Sequence, residues 1–178
     1  LASTDTVSGG DGVDVLTLSD ASTVVDSDFT GITSVANIDG TGGANTITLG
    51  SLADATGITS IQGAASAVDT VTVGAGFDNA LSVNLNAGDD NINASASTAA
   101  ITIVAGATQI TAADTLKGGS GTGDIIQLTA EEGSTAIFGA SFTGFETIGV
   151  TAATTQQLKI VMGDGMSAGD TITLTAAV

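Results

Sequence analysis

The chain has 178 residues, enough for one domain with its own core or for two small ones. Its two cations, Lys117 and Lys159, stand against 19 carboxylates, and the formal net charge of −17 excludes nucleic acid and anionic membranes as partners. Cysteine and histidine are absent, which excludes disulfides, thiolate or imidazole metal sites, and Ser-His-Asp or Cys-His catalysis.

Short runs that alternate between aliphatic side chains and Thr, Ser or Asn predict strands with one face inward. In chain order, these runs are residues 15–18, 46–49, 70–73, 81–85, 101–104 and 171–175. No stretch combines helical periodicity with a helix start or stop, so we expect no helix. No apolar run approaches the roughly 20 residues of a membrane span, so we expect no membrane insertion.

An acidic or amide residue just before an aliphatic strand recurs at steps of 21 to 24 residues. Its positions are Asp14, Asn37, Asn45, Asp69, Asp90, Asp114, Asp124, Glu146 and Asp170. The phase resets between Asn37 and Asn45, and again between Asp114 and Asp124, where glycine-rich runs occur. A period in this range is typical of stacked architectures.

A second spacing divides each period in two. Leu49, Ile61, Val73 and Leu85 fall 12 residues apart, which predicts two strands per coil on opposite faces. We therefore predict an all-β fold, a parallel β-solenoid (β-helix or β-roll) with about 21–24 residues per coil. A β-sandwich is the alternative, because strands every 8–12 residues also fit it.

The chain also contains a longer repeat. Residues 9–17 match residues 118–126 at an offset of 109, and residues 28–35 match residues 141–148 at an offset of 113. We predict a first repeat unit over residues 1–117 and a second, partial unit over residues 118–178 that continues the same stack. Because the chain opens at Leu1 rather than at Met, we expect a processed product or a fragment.

Residues 9–17 match the nonapeptide G-G-x-G-x-D-x-U-x at every specified position, where U is a large aliphatic residue. Residues 118–126 carry the same elements with one inserted residue. Elsewhere Asp89 and Asp90 are adjacent carboxylates, which repel each other unless a cation or water separates them. Carboxylate and carbonyl oxygens are the ligands that calcium prefers.

With its Gly-Asp turns, its Thr-aliphatic-Thr strands and the segment at residues 142–148, the chain resembles calcium-binding β-solenoid proteins of the RTX type. It resembles still more closely the cysteine-free β-strand repeat regions of bacterial surface-layer proteins and giant adhesins. The resemblance implies type I secretion, calcium in the turns, and a role in coats or stalks. The expected ligands, including the Asp89–Asp90 pair, are Gly9, Gly10, Asp11, Gly12, Asp14, Asp89, Asp90, Gly118, Gly119, Gly121 and Asp124.

The aspartates have a purely structural interpretation as well. Asp14, Asp69, Asp90, Asp114 and Asp170 fit turn residues whose side chains cap backbone N–H groups. Both interpretations remain open from the residues alone.

The function that we expect is structural: a self-assembling, calcium-stabilised segment of a secreted protein at the bacterial cell surface. Its partners would be further copies, or neighbouring tandem repeats, together with Ca²⁺, and we expect no enzymatic activity. One alternative is an ice- or surface-binding module, because the pairs Thr46/Thr48, Thr70/Thr72 and Thr171/Thr173 have the required spacing. Another is the non-catalytic RTX segment of a secreted hydrolase.

Overall fold

The computed structural model describes residues 1–129, 134–151 and 159–162, which form a parallel β-solenoid of about six turns. The first sheet has seven strands: β2 (Val15–Thr17), β5 (Asn37–Asp39), β7 (Ser60–Gln62), β9 (Leu81–Asn84), β11 (Ile101–Gly106), β13 (Ile125–Thr129) and β16 (Thr147–Thr151). The second has six: β3 (Thr23–Val24), β6 (Thr46–Leu49), β8 (Thr70–Val73), β10 (Asn91–Asn93), β12 (Thr115–Lys117) and β15 (Phe142–Thr143). The remaining strands pair as β1 (Val7–Ser8) with β4 (Ile32–Thr33) and as β14 (Thr135–Phe138) with β17 (Lys159–Met162).

Every pairing between these strands is parallel, and each strand pairs with strands one coil away. A β-sandwich consists of antiparallel sheets, so this pattern confirms the predicted solenoid and shows that the alternative was wrong. Predicted strand 171–175 lies outside the described residues.

The core is a set of aliphatic ladders that run along the stack axis. Inward side chains of successive strands stack on each other and are buried, because alternation turns every second residue inward. The first sheet contributes Ile38, Ile61, Val83, Ile103, Ile126 and Ile148, and the second contributes Val24, Ile47, Val71, Ile92, Leu116 and Phe142. These side chains fill the space between the sheets, so the polar groups of the coils lie at the corners and on the outer faces.

The 12-residue spacing predicted the faces correctly and one register incorrectly. Leu49 pairs with Val73 as expected, whereas Ile61 pairs with Val83 and not with Leu85. The coils differ in length because the connection from β6 to β7 contains a short helix, α1 (Ser51–Thr56), which the connection from β8 to β9 lacks.

Helix α1 contradicts the expectation that the chain has no helix. It has only six residues, too few to produce a helical periodicity, and it depends on its surroundings. The Asp26 carboxylate, one coil earlier, accepts the N–H groups of Gly50 and Ala53, and Gly57 ends the helix with φ 99°. Among the described residues, no helix has the length and apolar character needed to cross a membrane.

The phase resets in the acidic series have a geometric cause. Asn45, Asp69, Asp90 and Asp114 precede strands of the second sheet, whereas Asp14, Asp124 and Glu146 precede strands of the first. The resets therefore mark a change of sheet. The stack runs on past residue 117, since β11 pairs with β13 and β12 with β15. The division into units at residue 117 stays a prediction.

Strand pairing gives the longer repeat an offset of 109–110 in this segment as well. Leu116 pairs with Phe142 as Val7 pairs with Ile32, so the counterpart of Phe142 is Ile32. The 113-residue alignment placed Phe142 opposite Phe29, and it was wrong for this segment. Shared Phe-Thr-Gly letters produced it, although backbone pairing decides which positions are equivalent.

Candidate functional site

A ladder of buried polar side chains runs along one corner of the solenoid, just before the strands of the second sheet. In each step, a side-chain oxygen accepts the backbone N–H of the equivalent residue one coil earlier. The steps are Asp69 Oδ1 to Asn45 N at 2.8 Å, Asp90 Oδ1 to Asp69 N at 2.8 Å, and Asp114 Oδ1 to Asp90 N at 2.7 Å. Asn45 extends the ladder by accepting from Ser22 N at 3.2 Å. The structural interpretation of Asp69, Asp90 and Asp114 as capping residues is therefore confirmed.

The carboxylates of the ladder, on Asp69, Asp90 and Asp114, are buried. Burial raises the pKa of Asp90 to about 6, and the neighbouring charges of Asp69, Asp114 and Asp89 act in the same direction. The N–H donated by Asp69 opposes this change. Burial also raises the pKa of Asp114, against the effect of hydrogen bonds from Thr111 and Asp90.

Two further ladders occupy other corners. Asp124 Oδ1 accepts from Ile101 N at 2.7 Å, and Glu146 Oε2 accepts from Asp124 N at 2.8 Å. Burial raises the pKa of Asp124, as does the nearby Glu146 charge. At a third corner, Asp54 Oδ1 accepts from Asp78 N at 2.8 Å, and Asp26 caps α1.

Sequence reasoning gave no role to Asp26 or Asp54. Asp54 and Asp78 are 24 residues apart, which is the coil period, and this spacing was the available signal. Asp26 lies 28 residues before Asp54 and carried no such signal. Predicted capping residue Asp170 lies outside the described residues.

The first predicted calcium turn, residues 9–14, packs against the following coil. Gly9 donates its N–H to the carbonyl of Thr33 at 3.0 Å, and a Cβ at Gly9 would lie 2.0 Å from the carbonyl oxygen of Ser34. Gly10 and Gly12 have φ of 86° and 119°, as a glycine-rich turn requires. Asp11 is exposed, and Oδ2 of Asp14 is buried with no hydrogen-bond partner.

In the second predicted calcium turn, residues 118–124, both carboxylate oxygens of Asp124 accept hydrogen bonds. Oδ1 of Asp124 accepts from Ile101, and Oδ2 accepts from Gly119 N at 2.9 Å. A Cβ at Gly118 would lie 2.0 Å from the carbonyl oxygen of Gly144, and one at Gly121 would lie 2.2 Å from that of Thr98. These glycines permit close approach between coils.

The residues fit calcium unequally. At Asp124 a cation would have to replace two hydrogen bonds, whereas Asp14 has a free, buried oxygen. Asp89 is exposed beside buried Asp90, whose Oδ1 accepts from Asp69. Within residues 1–129, 134–151 and 159–162, no three acidic side chains converge as a ready-made metal cluster. The turn at residues 9–14 is thus the best candidate of those predicted.

Stacked Thr-x-Thr pairs, which the ice-binding alternative requires, occur on few coils. Thr46 and Thr48 stack on Thr70 and Thr72 on the outer face of the second sheet. The next coil presents Asn91 and Asn93 at the same positions, and the coil after it presents Thr115 and Lys117. A flat array of Thr-x-Thr pairs therefore extends over only two of the described coils, so nothing here favours the ice-binding alternative.

Comparison with known proteins identifies no family. No protein-family model matches the chain, and neither a curated protein nor a solved structure is significantly similar to it. Inference about function therefore depends on the geometry of the coils and their carboxylates.

Proposed function

We propose that this chain is a structural segment of a secreted bacterial cell-surface protein, which supplies length and surface to a coat, adhesin or filament. Coils of the solenoid repeat one pattern of contacts, and neighbouring repeats or copies continue that pattern. The single observation that carries the proposal is the ladder from Asn45 to Asp114, in which each coil binds the backbone of the previous one. Such nearest-neighbour contacts suit an array that extends in one dimension.

Charge supports a role for divalent cations in this proposal. A net charge of −17 makes the outer faces of separate molecules repel each other, and bound cations would reduce that repulsion. The turn at residues 9–14 matches the calcium nonapeptide, and the buried Oδ2 of Asp14 is available as a ligand. Calcium in this proposal stabilises the folded coils and promotes their assembly.

Electron microscopy of the purified full chain tests the assembly. We expect sheets or fibres in millimolar Ca²⁺ and dispersed particles in a chelator. An equal concentration of Mg²⁺ separates specific binding from general screening of charge, because Mg²⁺ demands a different coordination geometry. A monomer that is indifferent to all three conditions would contradict the proposed assembly.

Calorimetric titration with Ca²⁺ tests the turn. The Asp14→Asn variant removes a negative ligand, and Asp20→Asn, an exposed position nearby, is the matched control. We expect Asp14→Asn to weaken the tightest calcium site by at least about tenfold, which corresponds to 1.4 kcal/mol. Equal calcium affinities in the two variants would show that calcium does not bind at this turn.

A further inference from the structure

Two parts of the chain have the same contacts at an offset of 109–110 residues. Ala2 N donates to Asp5 Oδ2 at 2.9 Å, just as Thr111 N donates to Asp114 Oδ2 at 2.7 Å. The peptide oxygens of Asp14 and Asp124 likewise each accept two N–H groups from the following coil. Asp5 is therefore the counterpart of Asp114, and Asp14 is the counterpart of Asp124.

The two later carboxylates also bind the coil before them. Asp114 Oδ1 accepts from Asp90 N at 2.7 Å, and Asp124 Oδ1 accepts from Ile101 N at 2.7 Å. No coil precedes Asp5 and Asp14 among the described residues, because β2 and β3 end their sheets. The edge around β1, β2 and β3 thus presents two acceptors without the donors that their counterparts have.

Apolar side chains at this edge are uncovered in the same way. Leu1 is 43% exposed, whereas its counterpart Ile110 is 2% exposed. Val7 is 44% exposed, whereas its counterpart Leu116 is 2% exposed. Since burial of aliphatic surface is favourable, a coil placed over this edge gains both contacts and hydrogen bonds.

We infer that this edge, formed by β1 to β3 with Asp5 and Asp14, is a docking surface for one further solenoid coil of the same repeat. The inference rests on the proposed function and specifies the partner: a coil equivalent to residues 87–109, supplied by a neighbouring repeat unit. That coil already covers the corresponding surface inside this molecule, since β10 pairs with β12 and β11 pairs with β13. In the docked state, its counterparts of Asp90 and Ile101 donate their N–H groups to Asp5 and Asp14.

The register of the docked coil follows from the same offset. Leu1 corresponds to Ile110, so a copy of residues 87–109 joined directly to Leu1 reproduces the natural connection. Residues equivalent to Asn91 and Ile92 then lie beside Thr6 and Val7, as Asn91 and Ile92 lie beside Thr115 and Leu116. The carbonyl equivalent to that of Asp90 accepts the N–H of Thr6, because Asp90 accepts the N–H of Thr115.

The experiment compares the full chain with a chain that carries this 23-residue copy before Leu1, by amide hydrogen exchange at single-residue resolution. We expect the Thr6 amide to exchange at least about tenfold more slowly in the extended protein. The Val7 amide is the internal reference, because it already donates to the carbonyl of Gly31. A scrambled extension of the same composition controls for added mass.

The side chains are tested in both backgrounds. Asp5→Ala removes Oδ2, which accepts from Ala2 N in both backgrounds, and Oδ1, which gains a donor only when the coil is docked. We therefore expect it to lower the melting temperature more in the extended protein. Asp89→Ala, at an exposed carboxylate away from this edge, serves as the control and should act equally in both. Unchanged exchange of Thr6, or equal effects of Asp5→Ala in both backgrounds, would overturn the inference.

The two proposals fail separately. If the original chain forms cation-dependent sheets but the extension leaves the Thr6 amide unprotected, only the proposed docking surface is contradicted. If the extension protects the Thr6 amide but the protein never assembles, the docking surface is supported and the proposed self-assembly is contradicted.

Discussion

The Oδ1 atom of Asp90 accepts a hydrogen bond from the backbone N–H of Asp69 at 2.8 Å, one coil earlier in the solenoid. Asp69 repeats this contact to Asn45, and Asp114 repeats it to Asp90. The acidic residues therefore join coils to each other, which explains why they recur with the coil period. The same arrangement buries carboxylates near one another; burial first, and the neighbouring negative charges second, raise the pKa of Asp90.

The first prediction concerns pH and Asp90. The unfolded chain releases the Asp90 proton near pH 3.8, whereas the folded protein holds it to about pH 6. Between these values the folded state binds more protons, so the free energy of unfolding falls as the pH rises from about 4 to 6. For Asp90 alone, the loss is at most about 3 kcal/mol. Chemical denaturation at pH 4.5 and pH 7.5, in a chelator, measures it.

The Asp90→Asn variant checks that Asp90 causes this dependence. An amide keeps an oxygen that accepts from Asp69, as Asn45 does from Ser22 in the same ladder, and it has no proton to release. We expect a smaller loss of stability between pH 4.5 and pH 7.5 in the variant. A loss as large as that of the original protein would assign the pH dependence to other groups.

The second prediction concerns Asp69, whose two oxygens accept from Asn45 N and Ala64 N at 2.8 and 2.6 Å. Asp69→Ala leaves both N–H groups without an acceptor, and we expect a loss of about 2–4 kcal/mol in the free energy of unfolding. Urea denaturation measures it. Asp89→Ala, at an exposed carboxylate, should change stability by no more than about 0.5 kcal/mol. Similar effects of the two substitutions would contradict the ladder.

The third prediction concerns helix α1, which Asp26 caps from the preceding coil through Gly50 N and Ala53 N at 2.8 and 3.0 Å. Asp26→Ala should cost about 1–2 kcal/mol and should increase hydrogen exchange at Ala53. Asp26→Asn keeps an acceptor oxygen, so we expect it to retain part of this stability. If both variants exchange at the original rate, the helix does not depend on Asp26.

The fourth prediction tests whether Gly118 is needed for packing between coils or for calcium binding. A Cβ there would lie 2.0 Å from the backbone oxygen of Gly144, so Gly118→Ala must separate two coils. We expect a loss of about 1–3 kcal/mol that is as large in a chelator as in calcium. Thr122→Ala, at an exposed position of the same turn, is the control. A loss seen only in calcium would instead indicate that Gly118 serves a cation site.

Part of this architecture was predictable because it depends on local alternation. The runs at residues 46–49 and 70–73 predicted both the strands and their shared face, since side chains alternate in any strand. Helix α1 was not predictable from its six residues, because its first turn is capped by Asp26 from another coil. The pairing of Ile61 with Val83 was also missed, because α1 lengthens the connection between β6 and β7.

The sequence indicated which residues belong to the candidate site, but it did not show what their carboxylates contact. Residues 9–17 match a calcium nonapeptide, yet sequence similarity could not distinguish the hydrogen-bonded carboxylate of Asp124 from Asp14, which has a buried oxygen without a partner. One inserted residue after Gly118 separates the two turns in sequence, while the neighbouring coils decide what each carboxylate contacts.

By itself, the sequence determined the acidic charge, the alternating strands and the coil period, because these follow from composition and from the alternation of side chains along one strand. The parallel pairing that distinguishes the stacked fold from a β-sandwich came from the tertiary structure. Only the tertiary structure decided that Asp69, Asp90 and Asp114 bind the preceding coil. Those contacts join residues one coil apart, and their geometry exists only when successive coils lie in register.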